Sequence, residues 1–400
     1  MNILFLMKVF EIGGQEVVTL TLAKSFVSHG HNVSIACFMP PNPIMVARAD
    51  KRIKFFTLGE FRYSEKNVEE LRSILIDNKI DIVINQWGLP YIPAKVLNKA
   101  KTKLPHIKTI AIYHNSPDTN ARIKGVEIDL EKAQNRLKRL VLYCKKQAYK
   151  LVTSLSMRYV YEHSDLYMVL SPSFIDKFKT FTHIKNPDHL SVQTNPVTID
   201  SSDYVYSPDT KQKEIIYVGR IDYNQKRTSR IIETWSLLEN KYPDWTLRII
   251  GDGEERENLE RLCKTLNLQN VFFEGFKQPT EYYKRASILL LTSEYEGFGL
   301  VIVEGMSFGV VPVVLGSYSA VYDIINNGEN GIIIPYDKST GFHPEEMARH
   351  ISWLIEHKTE REIIAKNAYE RSKAFSLDKI VNSWESVCNN LSGGVKTSLS

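Results

Sequence analysis

Four cysteines in 400 residues, Cys37, Cys144, Cys263 and Cys388, stand far apart with no C-x-x-C pair among them. That scarcity and spacing exclude a disulfide framework or a structural zinc site as the basis of the fold. No stretch reaches the ~18 uncharged apolar residues that a transmembrane helix requires. The opening Met1-Asn2-Ile3-Leu4-Phe5-Leu6-Met7-Lys8 is apolar but short and lacks a basic leading segment. It reads as a first strand rather than a signal peptide, and a cytoplasmic protein is the expectation. Also missing are a G-x-G-x-x-G turn, a D-x-D pair, a G-x-S-x-G elbow and a repeat of solenoid period, and the histidines, His29 and His31 included, show no metal-ligand spacing with Cys or Asp. Nicotinamide-binding, hydrolase and solenoid readings therefore start without support.

What is present is ordinary in amount, 43% hydrophobic and 24% charged, but uneven in place. Residues 1–196 hold 28 Lys/Arg against 17 Asp/Glu, while the rest hold 23 against 29. A basic half joined to an acidic half suggests that the first meets an anionic surface or substrate. Short apolar runs alternate with longer amphipathic ones: Ile3–Leu6, Val33–Cys37, Ile82–Asn85, Thr109–Tyr113 and Leu166–Leu170, with helices such as Glu16–His29 and Val68–Asn78 between. The alternation resumes with Ile215–Val218, Thr246–Ile250, Val271–Glu274, Ile288–Thr292, Val311–Leu315 and Gly331–Ile334. Such βα alternation predicts an α/β fold of two doubly wound parallel sheets. The polar stretch from Gln193 to Lys213 sets the expected division, 1–194 against 195–376. Ile380, Val381, Trp384, Val387 and Cys388 share one face of an expected helix over 377–391. Residues 392–400 read as a disordered tail.

The most informative segment follows the Ile288-Leu289-Leu290-Leu291 strand. Ser293-Glu294-Tyr295-Glu296-Gly297-Phe298-Gly299-Leu300 is a glycine-bearing turn that opens a helix carrying Glu304. Strand, turn and helix offer backbone N–H groups to an anion, and Gly297 and Gly299 permit close approach. Two carboxylates there would repel a phosphate, so they fit paired hydroxyls instead. The implied ligand has diol ends and an anionic middle, as a nucleotide sugar does.

Glu296-Gly297-Phe298-Gly299-Leu300 with Glu304 resembles the E-x7-E signature of the retaining GT-B glycosyltransferases, many of which build bacterial polysaccharides and lipopolysaccharides. The resemblance implies two Rossmann-like domains facing a cleft, the first completed by a returning C-terminal helix. It implies an enzyme, a metal-independent hexosyltransferase with no cofactor, whose co-substrate is a nucleotide diphosphate sugar, most simply a UDP-hexose. The acceptor would be a hydroxyl of a surface glycan, capsular or lipopolysaccharide, or of its lipid-linked precursor. Glu304 would take the ribose hydroxyls and Glu296 those of the sugar. Gly219-Arg220 and Lys226 resemble the family's G-R-x5-K element, so Arg220 and Lys226 would hold the pyrophosphate together with Gly297, Phe298, Gly299 and Leu300. Read alone, these cations would be a solvated loop. His114, at the end of the Thr109–Tyr113 strand, resembles the family's histidine near the donor sugar, and a structural histidine is the plainer alternative. Gly13 and Gly14 are like the first-domain loop that reaches toward phosphates and acceptor. The family's usual Gly-Gly-x-x-Glu is replaced by Ser317-Tyr318-Ser319-Ala320-Val321-Tyr322-Asp323, and the residue after Glu304 is Gly305 instead of Ala.

One segment lies outside this set. Over 133–152, Leu137, Leu140, Val141, Cys144, Ala148 and Leu151 fall on one helical face among Arg136, Lys138, Arg139, Lys145, Lys146 and Lys150. Such a helix suits an anionic membrane, giving a peripheral protein, or a domain helix with an apolar core face and solvated cations. Nucleic acid is not expected, since no binding module or aromatic interleaving accompanies the charge. A nucleotide-sugar epimerase or a phosphorylase on the same fold, or a binding protein without catalysis, are the other functions weighed.

Overall fold

Apolar runs bounded by polar turns become strands buried on both faces once helices cover a parallel sheet. In the computed structural model of the chain, which describes residues 1–393, this happens twice. The first sheet comprises β1 (Asn2–Met7), β2 (Asn32–Cys37), β3 (Lys54–Thr57), β4 (Ile82–Asn85), β5 (Lys108–Tyr113), β6 (Leu166–Val169) and β7 (Leu190–Val192). Its order is β3-β2-β1-β4-β5-β6-β7. The second comprises β8 (Glu214–Val218), β9 (Thr246–Ile250), β10 (Val271–Gly275), β11 (Ile288–Leu291), β12 (Val311–Leu315) and β13 (Ile332–Ile334). Its order is β10-β9-β8-β11-β12-β13. Every ladder is parallel, with registers such as Phe5↔Ile35 and Phe5↔Ile84 around β1. The expected pair of doubly wound α/β sheets is what the chain forms.

In each sheet the winding reverses beside the first strand, between β1 and β4 and again between β8 and β11. Loops leaving the carboxyl ends of strands diverge at such a switch point and leave a crevice for a ligand. The loops that matter below follow these strands.

The chain resolves into two compact units, Met1–Thr198 with the C-terminal segment from Leu377, and Ile199–Ser376. The C-terminal helix runs from Leu377 to Gly393, so Ser392 and Gly393 are helical rather than part of a disordered tail. Residues 394–400 of that expected tail lie outside the described residues. The strands β3 and β7 escaped the sequence reading. Each is a short edge strand, four and three residues long, with half-buried positions instead of a full apolar run. Among the described residues, no helix is long and apolar enough to cross a membrane.

The C-terminal helix joins the first unit through its apolar face, where Ile380, Val381, Trp384 and Cys388 are buried. Beside that face Glu385 Oε1 lies 2.8 Å from His31 Nε2 and 2.9 Å from His29 Nδ1. Burial pushes the Glu385 carboxyl up, but the hydrogen bonds with His31 and His29 outweigh it and hold the group below its usual 4.5. A depressed carboxyl stabilises the fold above its unfolded pKa, and the contribution disappears as pH falls through the folded value. Glu385→Gln should therefore lower the melting temperature at pH 7 by about 2–4 °C, the equivalent of ~1 kcal/mol. The deficit should shrink as pH falls below the ordinary glutamate range and vanish once the folded carboxyl is protonated. Equal melting at pH 7 would show that the apolar face alone holds this helix.

Candidate functional site

The loop after β8 is built around a buried acid. Asp222 Oδ1 accepts from the backbone N–H groups of Gln225 (2.6 Å) and Lys226 (3.1 Å), and Arg220 Nε donates to Oδ2 at 2.8 Å. Burial alone would raise the Asp222 carboxyl, but these donors hold it below the ordinary aspartate range. The turn they fix aims Lys226 inward and leaves the Arg220 side chain 65% exposed. The loop after β9 packs directly beneath, since a Cβ on Gly251 would fall 1.8 Å from the Gly219 carbonyl oxygen. The glycines of Gly251-Asp252-Gly253 thus serve close backbone approach.

The turn after β11 supplies the opposite charge. Lys226 Nζ lies 2.5 Å from Glu296 Oε1, which also accepts from Ser293 Oγ at 2.7 Å. Both side chains are largely buried, 15% and 9% exposed. Gln225 Nε2 reaches the Tyr295 carbonyl at 3.3 Å. A second pair, Arg230–Glu294 at 3.0 Å, anchors the start of the turn, and Arg230 also donates to the Thr292 carbonyl. Gly299 adopts φ 93°, a left-handed conformation that favours glycine, and Leu300 opens the helix Leu300–Met306. Phe298 is buried edge-on against Phe375. Glu304, one turn into the helix, is buried and accepts from the Tyr283 hydroxyl at 3.3 Å. The second unit thus gathers Arg220, Lys226, Glu296, Gly297, Phe298, Gly299, Leu300 and Glu304 on the two loops flanking the β8/β11 switch point. Cations for a diphosphate and carboxylates for hydroxyls stand side by side.

Tyr318 was passed over in the sequence as a mere departure from a family pattern. Its hydroxyl is buried with no hydrogen-bond partner among the described residues. It lies 2.8 Å from where a Cβ on Gly299 would stand.

In the first unit His114 follows β5, and its Nε2 lies 2.5 Å from Gln86 Oε1, beyond the end of β4. Burial lowers the imidazole to about 3, so it is neutral across the physiological range. With Nε2 donating to Gln86, Nδ1 is left as an acceptor, and it has no partner among the described residues. Gln86 Nε2, Asn85 Nδ2 and Trp87 Nε1 are likewise buried without partners. Gln15 Nε2 donates to the Gln86 carbonyl at 3.0 Å, tying the helix after Gly14 to this strand end. The sequence signal for Gln86 was polar residues directly after an apolar strand, at the first sheet's switch point. Gly13 caps the helix that starts at Gly14. A Cβ on Gly13 would fall 2.4 Å from Glu16 Oε2, so a carboxylate already covers this helix start. That arrangement suits a phosphate poorly.

The helix expected over 133–152 starts at Arg136 under an Asn135 cap and continues to Glu162, separated by residues 133–135 from a preceding helix that ends at Lys132. The face it buries carries Leu142, Ser154, Met157, Val160 and Tyr161. The apolar stripe expected as core in one of the two readings is instead on the surface, with Leu137 70%, Val141 60% and Leu151 61% exposed. Lys146 is engaged by Glu127 at 2.8 Å.

Comparisons with known proteins agree with this fold. The family model described as Glycosyltransferase Family 4 matches residues 12–201, and that described as Glycosyl transferases group 1 matches 200–371. An uncharacterised glycosyltransferase of Haemophilus influenzae is 24% identical over 96% of this chain and 98% of its own. The Campylobacter jejuni GalNAc-alpha-(1->4)-GalNAc-alpha-(1->3)-diNAcBac-PP-undecaprenol alpha-1,4-N-acetyl-D-galactosaminyltransferase is 23% identical over 96% of this chain and 97% of its own. The Anabaena protein HepE, solved with UDP-glucose, superposes with a TM-score of 0.74 at 17% identity, covering 98% of this chain and 100% of that one.

The geometry separates the two cations of the β8 loop. Lys226→Ala strands the buried Glu296 carboxylate, and should cost about 2–3 kcal/mol of stability in the second unit. Arg220→Ala should cost less, since the guanidinium is exposed and the buried Asp222 keeps its two backbone N–H donors. Denaturant midpoints of the two ligand-free variants decide the matter, and an equal loss would mean that the Lys226–Glu296 pair is not buried in solution.

Proposed function

Because the chain belongs to the GT-B glycosyltransferases, we propose that it transfers a hexose, with retention, from a UDP-sugar to a hydroxyl of a surface glycan or of its lipid-linked precursor. The observation that carries this reading is the convergence of Arg220, Lys226 and Glu296 on adjacent loops at the β8/β11 switch point. Support for the donor comes from HepE, solved with UDP-glucose, and for the acceptor from the Campylobacter enzyme, whose name carries an undecaprenol-linked glycan.

The bond broken is that between the anomeric carbon and the diphosphate, and negative charge collects on the departing oxygens. Arg220 and Lys226 stabilise that charge. In the ligand-free protein Lys226 is held by Glu296. A bound diphosphate offers Lys226 an alternative anion, and Glu296 is then released to accept from the sugar hydroxyls. Glu304, held by Tyr283, takes the ribose. With side-chain cations serving the leaving group, the reaction runs without a divalent metal. The acceptor hydroxyl attacks from the face the diphosphate leaves and passes its proton to the departing diphosphate oxygen, so the new bond to the anomeric carbon replaces the old one with configuration retained.

Titration with UDP and turnover of UDP-hexoses test this reading. Arg220→Ala should lower turnover by about 10² or more while leaving the fold intact. Glu304→Gln should weaken UDP itself, since an amide accepts poorly from two hydroxyls. Activity should survive EDTA. Turnover by Arg220→Ala at the wild-type rate would remove the leaving-group assignment, and dependence on added magnesium would replace it with a metal.

The Arg136–Glu162 helix supplies a second part of the reading, attachment to an anionic membrane where a lipid-linked acceptor resides. An exposed apolar stripe edged by the exposed Arg136, Lys138, Arg139 and Lys145 matches an interfacial helix. Sedimentation with acidic vesicles should fall steeply as salt rises, since the attraction is screened over about 10 Å at 0.1 M. Changing those four cations to Gln should abolish it without altering hydrolysis of a soluble donor. Undiminished vesicle binding by that variant would return the cations to a solvated face.

A further inference from the structure

The geometry points to Tyr318 as a specificity-determining residue that donates its phenolic hydrogen to the same sugar hydroxyl whose own hydrogen Glu296 accepts. This inference rests on the glycosyl-transfer reading above. Tyr318 follows β12, the neighbour of β11 in the sheet, so its segment emerges at the same edge as the turn bearing Glu296. That segment is fastened in place: Ser317 Oγ donates to the Ser293 carbonyl at 2.5 Å, and Ser293 Oγ donates in turn to Glu296. Tyr318 itself is 5% exposed, and its hydroxyl stands against Gly299, where any larger residue would collide with it.

A buried hydroxyl with no partner among the described residues is costly, and the protein keeps one here. Burial, with the nearby Glu296 charge, raises the phenol well above its ordinary value, so the group is a neutral hydrogen-bond donor at any physiological pH. Glu296 is an acceptor only. A sugar hydroxyl has one hydrogen to give and lone pairs to receive, so a carboxylate and a phenol on either side satisfy it completely. A carboxylate pair would not do so, since neither member can donate. Recognition by two complementary partners also discriminates strongly, because a hexose whose hydroxyl points elsewhere leaves the buried phenol unpaired and the Glu296 carboxylate one donor short.

The test is Tyr318→Phe, which removes one oxygen and keeps the ring. The ligand-free variant should melt at the same temperature as wild type or higher, since an unpaired polar group is lost. Calorimetric affinity for UDP should be unchanged. Affinity for the UDP-hexose that wild type prefers, among UDP-glucose, UDP-galactose and UDP-N-acetylgalactosamine, should fall about tenfold or more, and the preference should narrow. Equal weakening of UDP and the UDP-hexose would overturn the proposal by placing the hydroxyl on the diphosphate. Unchanged affinity for both, or a lowered melting temperature, would overturn it in favour of a structural role. Failure of the wild-type protein to bind any UDP-sugar would instead overturn the functional reading, and this inference with it.

Discussion

The contact between Lys226 and Glu296 is the constraint on which the second unit's site is organised. Each group is too buried to remain charged without a partner, and neither partner lies nearby in sequence. They meet because β8 and β11 are adjacent parallel strands whose loops leave the same edge of the sheet. The supporting bonds serve that meeting. Asp222 curls the β8 loop so that Lys226 turns inward, Ser293 fixes the Glu296 carboxylate, and Arg230 with Glu294 pins the turn to the sheet. The result is a site already neutral before a ligand enters. An anion can take Lys226 while a hydroxyl donates to the Glu296 carboxylate, which Ser293 Oγ continues to hold, so each half of the pair keeps a hydrogen-bond partner.

Strand and switch-point geometry were readable in the chain because they depend on local pattern. Apolar runs of four or five residues bounded by turns located eleven of the strands, and the glycine turn after Ile288–Leu291 marked the one that matters most. β3 and β7 were not readable, since an edge strand buries too little to show an apolar run. Tyr318 and Gln86 were beyond reach for a different reason. A tyrosine in a loop and a glutamine after a strand are unremarkable residue types. What distinguishes them is a hydroxyl or an amide left without a partner at a strand end, and that is a property of packing, not of spacing.

The Arg136–Glu162 helix shows the opposite failure. Its hydrophobic pattern was read correctly as a stripe, but a stripe does not say which face is covered. The face that packs is marked by Leu142, Ser154, Met157, Val160 and Tyr161, a sparser and more polar set than the stripe itself. Hydrophobicity on a soluble protein's helix usually identifies the buried side. Here the richer apolar face is outward, while the other face is held by packing that includes Ser154 donating to the Phe181 carbonyl at 2.6 Å. A pattern of that kind has a cost in water that core packing does not repay.

The two sheets also divide the electrostatic work. The second unit uses formal charges in compensated pairs, Lys226 with Glu296 and Arg230 with Glu294. At the corresponding edge of the first sheet the groups left without partners are neutral, a histidine held near 3 by burial with Gln86, Asn85 and Trp87 around the strand ends, beside Lys8 over the Trp87 ring. Neutral donors and acceptors suit hydroxyls, whereas charged pairs suit a phosphate and the carboxylate-bound diols beside it. The excess of Lys and Arg in the first half, 28 against 17 acids, is therefore not gathered at its switch point. Much of it lies on the surface, including the borders of the exposed helix, where long-range attraction acts on a partner approaching from solution rather than on the bond being broken.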